Sequence, residues 1–447
     1  MAEDEFQELP IKPIYWQEKP NDPIELGQRI VSIPIEIGNE LKVSADATIH
    51  FDPDPRLEFK TQVGQVDFYK LVRDDPKCRI RLPQFQSEMD VFLGTRDGYA
   101  RLHPATSVVQ LHQSAANVRT VVFHLFNWPD IAGAESFKLK PVDSHRSFSR
   151  INRVILTAVG WKVVIQGLEN TSDIVKGLEH HNGYQITHTG TIEREDGSLF
   201  DTGTVETFLT RLGRFFEFLL GKSSDPSLAV GFDRERNRVF EQFGLANVDG
   251  GKWRRDSWFQ ERMAGDIQPA FSGFMTLCDR TSWWEKQLTY AIYWYRHANM
   301  VQKGIGTDSA LIFSQAALEM LAHYVCREDS NLLPPDRRKS KQTFDACNAA
   351  GKMRTLAEGL GIPVQIPLEL TSLRSFPAGW DDSLQAIACL RNDLTHPKVK
   401  YDASVDVYYD AWRLSLWYLD LVLLKLCGYN GKYRSRITDK NETVPWG

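Results

Sequence analysis

The sequence predicts an α+β protein, in which a β-rich sandwich or barrel-like domain precedes an all-α helical bundle. Short alternating and β-branched runs, separated by turn residues, fill the chain from about residue 27 to residue 167. Apolar residues at helical spacing dominate from about residue 283 onward. With 447 residues, of which 42% are hydrophobic and 25% charged, the composition is that of a folded protein with two or three domains.

The first half of the chain divides into three predicted segments. Residues 1–25 carry four prolines and no clear period, which predicts an extended arm. Residues 26–221 form the predicted β-rich domain, which closes with a helix from Thr204 to Gly221. Residues 222–280, rich in Gly, Asp and aromatic residues, are interpreted as a connector. The clearest predicted strands, at a spacing typical of an antiparallel sandwich, are 29–37, 41–49, 108–112, 120–126 and 154–159.

The second half is predicted to be helical, with a bundle over residues 281–436 and a tail over residues 437–447. The helices expected from apolar spacing are 283–300, 309–327 and 405–427. The last of these is apolar on most faces, so we expect a buried central helix with Trp412 and Trp417 in the core. It offers more apolar surface than one small bundle is expected to cover, which favours a homodimer or larger assembly.

The segment Arg391-Asn392-Asp393-Leu394-Thr395-His396 carries the strongest chemical signal. Pro397 follows it, and proline disfavours helical dihedrals in the preceding residue, so His396 is expected at a helix end. Asn392 and His396 are four residues apart and share a helix face, with Arg391 about a quarter-turn away. An imidazole can move a proton near neutral pH, and a guanidinium can hold charge that develops on phosphorus. The group therefore suits phosphodiester cleavage, although an arginine near a helix end is also often a solvated cap.

In its helical setting this motif resembles that of the HEPN family of small α-helical domains. Many members are ribonucleases marked by an Arg, often followed by Asn, and by a His after four to six further residues. Arg391, Asn392 and His396 match this motif residue by residue, within a resemblance over residues 281–436. The chain also resembles the ApeA-type subgroup of bacterial anti-phage HEPN proteins in segments 160–164, 187–194, 215–221, 315–321 and 426–433.

The resemblance implies a metal-independent endoribonuclease that acts in anti-phage defence by abortive infection. His396 would act as general acid or base, Arg391 would stabilise the phosphorane, and Asn392 would position the phosphate or the His396 ring. The implied partners are RNA, with tRNA as one option, a second copy of the chain, and a phage trigger sensed by the β-rich domain. No cofactor is implied.

Three other functions stay open on the sequence. The bundle could be a non-catalytic HEPN module that dimerises or holds RNA, although an inert copy has no chemical reason to keep all three motif residues. It could be a toxin held inactive by a partner antitoxin. A carbohydrate- or peptide-binding β-sandwich with a helical tail is the third alternative.

Residues around the motif are candidates for supporting roles. Gln315, Glu319 and His323 fall four apart on one stripe of their predicted helix, which is either its solvent face or the border of the cleft that holds the motif. Basic side chains flank the motif and could contact RNA phosphates. These predicted RNA-binding residues are Lys398, Lys400, Lys432, Arg434 and Arg436, and a third basic cluster lies at 337–341.

Composition and charge exclude several classes of protein. The net charge is −5, so the chain is not a general nucleic-acid binder. An acidic start predicts no secretory leader, and the longest apolar stretch, Leu414–Cys427, is too short and too charged to cross a membrane. Six scattered cysteines without C-x2-C spacing favour free thiols and a cytoplasmic location.

Metal-binding patterns are weak. His180, His181 and His188 could ligate a metal, but the Asn182-Gly183 pair favours a hairpin with surface histidines. His323 and Cys326 could form half of a zinc site, but no second half follows. No metal site is therefore predicted.

Overall fold

The computed structural model describes residues 10–446, apart from 37–38, 52–53, 63–76, 86, 97–98, 114–116, 132–134, 140–148, 246, 252–253, 255–256, 263, 302–304 and 397–400. By its internal packing the chain divides into two compact units. The first unit comprises residues 1–213 and 224–253, and the second comprises residues 214–223 and 254–447.

The first unit begins with six strands, β1 Ile24–Glu36, β2 Asn39–His50, β3 Arg56–Thr61, β4 Lys77–Leu82, β5 Ser87–Arg96 and β6 Tyr99–Pro104. They close into a barrel in the order β1-β2-β3-β6-β5-β4, with antiparallel neighbours. Side chains alternate between its two faces, because successive residues of a strand point in opposite directions. Along β4, Ile80 and Leu82 are buried whereas Arg79 and Arg81 are exposed. The barrel is thus a packed core.

Ten further strands follow, β7 Val109–His112, β8 Asn117–Val118, β9 Thr120–Phe126, β10 Glu135–Leu139, β11 Ser149–Ala158, β12 Trp161–Gly167, β13 Ile186–Arg194, β14 Phe200–Asp201, β15 Ser227–Phe232 and β16 Arg238–Phe243. Eight of them form one sheet in the order β10-β11-β12-β13-β9-β15-β16-β7, and β8 pairs with β14. Helix α1, Thr171–His181, lies between β12 and β13 in the chain. Strands β15 and β16 belong to the segment interpreted as a connector.

The end of the predicted arm is tied to this unit by buried side chains. The backbone N–H groups of Ile14 and Tyr15 both donate to His124 Nε2 at 3.1 Å, and His124 Nδ1 lies 3.1 Å from the Leu228 carbonyl. Ile11 N–H donates to Gln166 Oε1 at 3.0 Å. Burial lowers the pKa of His124 to about 4, so the ring is neutral and accepts at Nε2.

The second unit is helical. Helix α2, Thr202–Leu220, contributes its last turns to it, and the remaining helices are α3 Ile267–Arg280, α4 Ser282–Ala298, α5 Thr307–His323, α6 Lys341–Asp345, α7 Ala349–Leu360, α8 Thr371–Ser375, α9 Ser383–Thr395 and α10 Val405–Leu426. A π-helical turn, Tyr324–Glu328, continues α5. The short strands β17 Lys432–Arg434 and β18 Asn441–Thr443 pair after α10. These elements confirm the predicted fold class of a β-rich region followed by a helical region.

Residues 214–223 belong to the second unit because of their aromatic side chains. Phe215 packs against Phe271 and Phe274 of α3, with ring centroids 5.2 and 5.6 Å away. Phe218 lies 5.4 Å from Trp258 and 5.9 Å from Tyr295. The last turns of α2 therefore complete a core that is otherwise built from residues after 254.

Helix α10 is the central helix that its composition predicts. Every residue from Leu414 to Leu424 is buried. The prediction for Trp417 is confirmed, since it is buried and donates to the Tyr433 hydroxyl at 3.0 Å. Trp412 is only half-buried, so the prediction of a core position is wrong for it. Because the chain itself covers most of α10, the expected apolar excess does not supply a reason to dimerise.

Among the helices in the described residues, none is long and apolar enough to span a membrane.

Candidate functional site

The motif helix α9 is fixed at its start by Asp382. The Asp382 carboxylate accepts from the Gln385 N–H at 2.8 Å and also pairs with Arg354. Such a cap satisfies a backbone donor that the first turn leaves open. Along the helix, Leu384, Ile387 and Leu390 are buried. The apolar face is thus turned into the unit, and the motif residues lie on the remaining surface.

The helix ends at the predicted place. His396 has extended dihedrals, φ −108° and ψ 144°, which fit a residue that precedes proline. Its backbone N–H donates to the Asn392 carbonyl at 2.9 Å and closes the last turn. The His396 side chain is exposed, and its ring has no hydrogen-bond partner within the described part of the chain.

Arg391 and Asn392 contact each other at the same helix end. Arg391 Nη1 donates to Asn392 Oδ1 at 3.2 Å. Within the described residues, Arg391 Nε is buried without a hydrogen-bond partner, and no carboxylate forms an ion pair with this guanidinium. The guanidinium therefore keeps its charge available to an anionic group.

Asp393 links the motif helix to the chain that follows it. This buried carboxylate accepts from the Tyr401 N–H at 2.9 Å. Tyr401 lies edge-on to Phe376 and Trp380, with ring centroids 6.2 and 5.8 Å away, and those two rings stack at 5.3 Å. The motif thus has a half-buried aromatic cluster beside it. The sequence does not reveal this cluster, because its rings meet only through the fold.

Gln315, Glu319 and His323, the predicted stripe on α5, do not share one environment. Gln315 is fully buried and donates from Nε2 to Glu319 Oε1 at 2.6 Å, while its own Oε1 has no hydrogen-bond partner in the part of the chain that the structure describes. The alternative of a solvent face is therefore wrong for Gln315. His323 lies 3.5 Å from Glu328 in the π-helical turn and near the Phe344 ring. Helix α5 packs against α9, but among the described residues no hydrogen bond or ion pair joins these three side chains to Arg391 or His396.

The basic residues predicted to bind RNA have different surroundings. Lys432 is exposed, and Arg434 pairs with Asp439. Arg436 pairs with the fully buried Asp420 and donates to Asn299 Oδ1 at 2.9 Å and to the Tyr295 hydroxyl at 3.0 Å. This network gives Arg436 a structural role in place of the predicted surface contact. Lys398 and Lys400 lie outside the described residues.

The metal candidates do not assemble. His188 is a buried residue of β13, contrary to the predicted surface hairpin, and burial lowers its pKa to about 4. His180 is exposed on α1. Within the described residues, no group of three or more His, Cys, Asp or Glu side chains could hold a metal ion.

Fold and site define a protein in which a β-barrel and sheet unit precedes a helical bundle, and in which one bundle helix ends in an Arg-Asn-x3-His group. Residues 113–254 match the YopA central domain, and residues 281–445 match the YopA C-terminal domain. The chain is therefore similar to the central and C-terminal domains of YopA proteins over these two segments.

A full-length relative agrees with these matches. The chain is 24% identical over 433 residues to the SPbeta prophage-derived uncharacterized protein YopA of Bacillus subtilis (strain 168). The alignment covers 92% of this chain and 93% of that protein. No solved structure matches the chain. None of these descriptions names a HEPN domain, so that resemblance stays a prediction.

Proposed function

We propose that the second unit is an endoribonuclease of HEPN type. The observation that carries the proposal is the end of α9, where the Arg391 guanidinium contacts Asn392 without a carboxylate partner among the described residues and the helix closes at the exposed His396. A guanidinium paired with a carboxylate would be neutralised, whereas this one can bind a phosphate.

The reaction is transesterification at phosphorus. The 2′-oxygen of RNA bonds to the adjacent phosphorus, the bond from phosphorus to the 5′-oxygen breaks, and a 2′,3′-cyclic phosphate and a 5′-hydroxyl result. The 2′-hydroxyl loses a proton and the leaving 5′-oxygen gains one, and His396 transfers one of these protons. Arg391 stabilises the charge on the equatorial oxygens, and Asn392 holds the phosphate or Arg391 in place. DNA lacks the 2′-hydroxyl, so it is not a substrate.

A second copy of the chain would supply the second imidazole. Each chain has one histidine in the motif, whereas the reaction moves two protons. The resemblance to HEPN domains implies paired motifs in one cleft, and a twofold dimer places the same residues of two chains together. This part of the proposal rests on the resemblance and on the proton count.

We further propose that the activity serves anti-phage defence. The relative in Bacillus subtilis is prophage-derived by its description, and a resident prophage benefits when its host resists other phages. The resemblance to ApeA-type proteins supports the same role and assigns the β-rich unit to sensing a phage product or gating the nuclease.

The test compares purified wild-type protein with His396→Ala and Arg391→Ala on a labelled RNA and on DNA of the same sequence. We expect cleavage of RNA only, cyclic phosphate ends, and persistence in EDTA. Loss of a general acid or base typically lowers the rate by about 10²–10⁴, and loss of one group that stabilises transition-state charge by about 10²–10³. Both variants should therefore fold normally and lose most of their activity. The exposed His180 supplies the matched control, and His180→Ala should retain full activity.

Undiminished cleavage by His396→Ala would contradict the proposed proton transfer by His396. RNA binding without cleavage by the wild type would favour the non-catalytic module. Complete loss of activity in EDTA, restored by a divalent ion, would replace transesterification by metal-dependent hydrolysis.

A further inference from the structure

A cavity of about 450 Å³ lies in the second unit between α10 and the segment that contains β17. Its lining includes Tyr409, Trp412 and Arg413 of α10, together with Arg434, Arg436 and Asp439. Small-molecule sites typically measure about 300–1,000 Å³ and combine apolar walls with a few polar groups. The size therefore suits one small molecule, and no residue of the Arg391–His396 motif lines the cavity.

The arginines that line the cavity differ in whether a carboxylate pairs with them. Arg434 pairs with Asp439, and Arg436 pairs with the buried Asp420. Arg413 instead donates to two backbone carbonyls, that of Arg436 at 2.6 Å and that of Ile437 at 2.9 Å. No carboxylate among the described residues pairs with Arg413, and its Nη1 has no hydrogen-bond partner there. The cavity therefore keeps one positive charge that is not compensated, and this charge favours a ligand with one anionic group.

An aromatic wall adjoins this guanidinium. The Tyr409 and Trp412 ring centroids lie 5.3 Å apart, with the ring planes tilted by 51°, and the Arg413 guanidinium lies 5.8 Å from the Tyr409 ring centroid. Trp412 is held in place because Nε1 donates to the Ala298 carbonyl at 2.8 Å. Tyr409 is 42% exposed, so a ligand can reach its ring. A flat ring can stack here while an attached anion reaches Arg413.

We propose that this cavity binds a small ligand that carries a flat aromatic ring and one anionic group. The ring stacks on the exposed Tyr409 and contacts the tilted Trp412 with its edge, and the anion bonds to Arg413. Two kinds of molecule share this chemistry, a nucleoside monophosphate and an aryl carboxylate. The proposal does not depend on the ribonuclease activity, since it uses none of the motif residues.

The test is calorimetric titration of the full chain with AMP and, separately, with indole-3-acetate. We expect saturable binding of at least one of them. If AMP is the better ligand, adenosine and inorganic phosphate should each bind at least tenfold more weakly than AMP. Tyr409→Ala should weaken binding about tenfold, since an aromatic side chain contributes strongly to stacking a base. Arg413→Ala should weaken it by at least as much. Arg374 supplies the matched control, because it also donates to a backbone carbonyl, that of Ile366, and does not line the cavity.

Arg413 also holds the chain at Arg436 and Ile437, so Arg413→Ala is judged together with its thermal melting curve. If that variant melts early, the exposed Tyr409→Ala carries the test by itself. Failure of both probes to bind at millimolar concentration would overturn the proposal. Binding that is unchanged in Tyr409→Ala, or inorganic phosphate that binds as tightly as AMP, would also overturn it, because the aromatic wall would then contribute nothing.

Discussion

At the scale of single residues, the arginines of the second unit differ in what compensates their charge. Arg391 contacts the neutral amide of Asn392, and Arg413 contacts backbone carbonyls. Arg436 contacts the buried carboxylate of Asp420. The first two keep a charge that an external anion can use, whereas the third is part of the core.

This difference predicts a large stability effect for one predicted RNA-binding residue. Arg436→Ala leaves Asp420 buried without its counterion, and breaking a buried ion pair costs about 3–5 kcal/mol. Burial already raises the pKa of Asp420, while Arg436 favours its charged form. Urea unfolding of the variant should therefore show a loss of that size in the free energy of unfolding.

Lys432→Ala is the matched control, since Lys432 is exposed and surface substitutions typically change stability by less than about 0.5 kcal/mol. Equal stability of Arg436→Ala and Lys432→Ala, combined with weaker RNA binding by Arg436→Ala, would return Arg436 to the RNA surface.

The sequence shows the two members of this pair but not the pair itself. Asp420 stands out as a charge within an apolar helix, and Arg436 stands out within a run of alternating basic residues. Their contact depends on the turn after α10, which brings the chain back along that helix. The motif residues were easier to recognise, because Arg391, Asn392 and His396 are local and their geometry follows from one helix end.

At the scale of elements, helix α9 depends on the residue before its first turn. Asp382 caps the helix and pairs with Arg354, and that pairing raises the pKa of Arg354. Helix α9 has only 13 residues and ends in the motif. Fraying of its first turn would therefore also disturb the position of the motif residues.

We expect Asp382→Ala to lower the free energy of unfolding by roughly 1–3 kcal/mol, through loss of a cap and of a partly buried hydrogen-bonded charge. Asp382→Asn keeps the cap but not the ion pair, so its loss should be smaller. Thermal and urea unfolding would measure both. If the two variants lose the same amount, the ion pair rather than the cap fixes the start of α9.

Local sequence patterns predicted two elements almost to the residue. The predicted strand 120–126 coincides with β9, and the predicted helix 405–427 differs from α10 by one residue. Strand β15 was missed because five of its six residues are buried, which leaves no alternation to detect. Helices α6 and α8 have five residues each, too few to show a helical period. The pairing of β15 with β9 joins residues about a hundred positions apart, which no local pattern contains.

At the scale of the whole molecule, acidity should weaken the first unit. Burial lowers the pKa of both His124 and His188 to about 4, from the usual value of 6.5. Above pH 6.5 neither residue costs stability, because both are neutral whether the chain is folded or unfolded. Between pH 6.5 and pH 4 these histidines bind protons in the unfolded chain but not in the folded chain. The free energy of unfolding therefore falls as the pH falls.

Each of these histidines can cost about 3 kcal/mol by pH 4, since one pKa unit corresponds to about 1.4 kcal/mol. Urea unfolding at pH 7, 6 and 5, followed by a signal from the first unit, should show this decline. His188→Gln should make the decline less steep, and His180→Ala, a change at an exposed site, should leave it as in the wild type. Stability that stays constant from pH 7 to pH 5 would contradict the buried, neutral state of both rings.

The aromatic turns at residues 214–223 have a consequence during synthesis. The ribosome delivers Phe215 and Phe218 well before Phe271, Phe274 and Tyr295, which cover them in the finished unit. Because synthesis proceeds at about 5–20 residues per second, several seconds pass before the residues that cover these two rings are made. Throughout that interval a growing chain carries part of the bundle core at its surface, and a ribosome that stalls before α3 leaves that part uncovered.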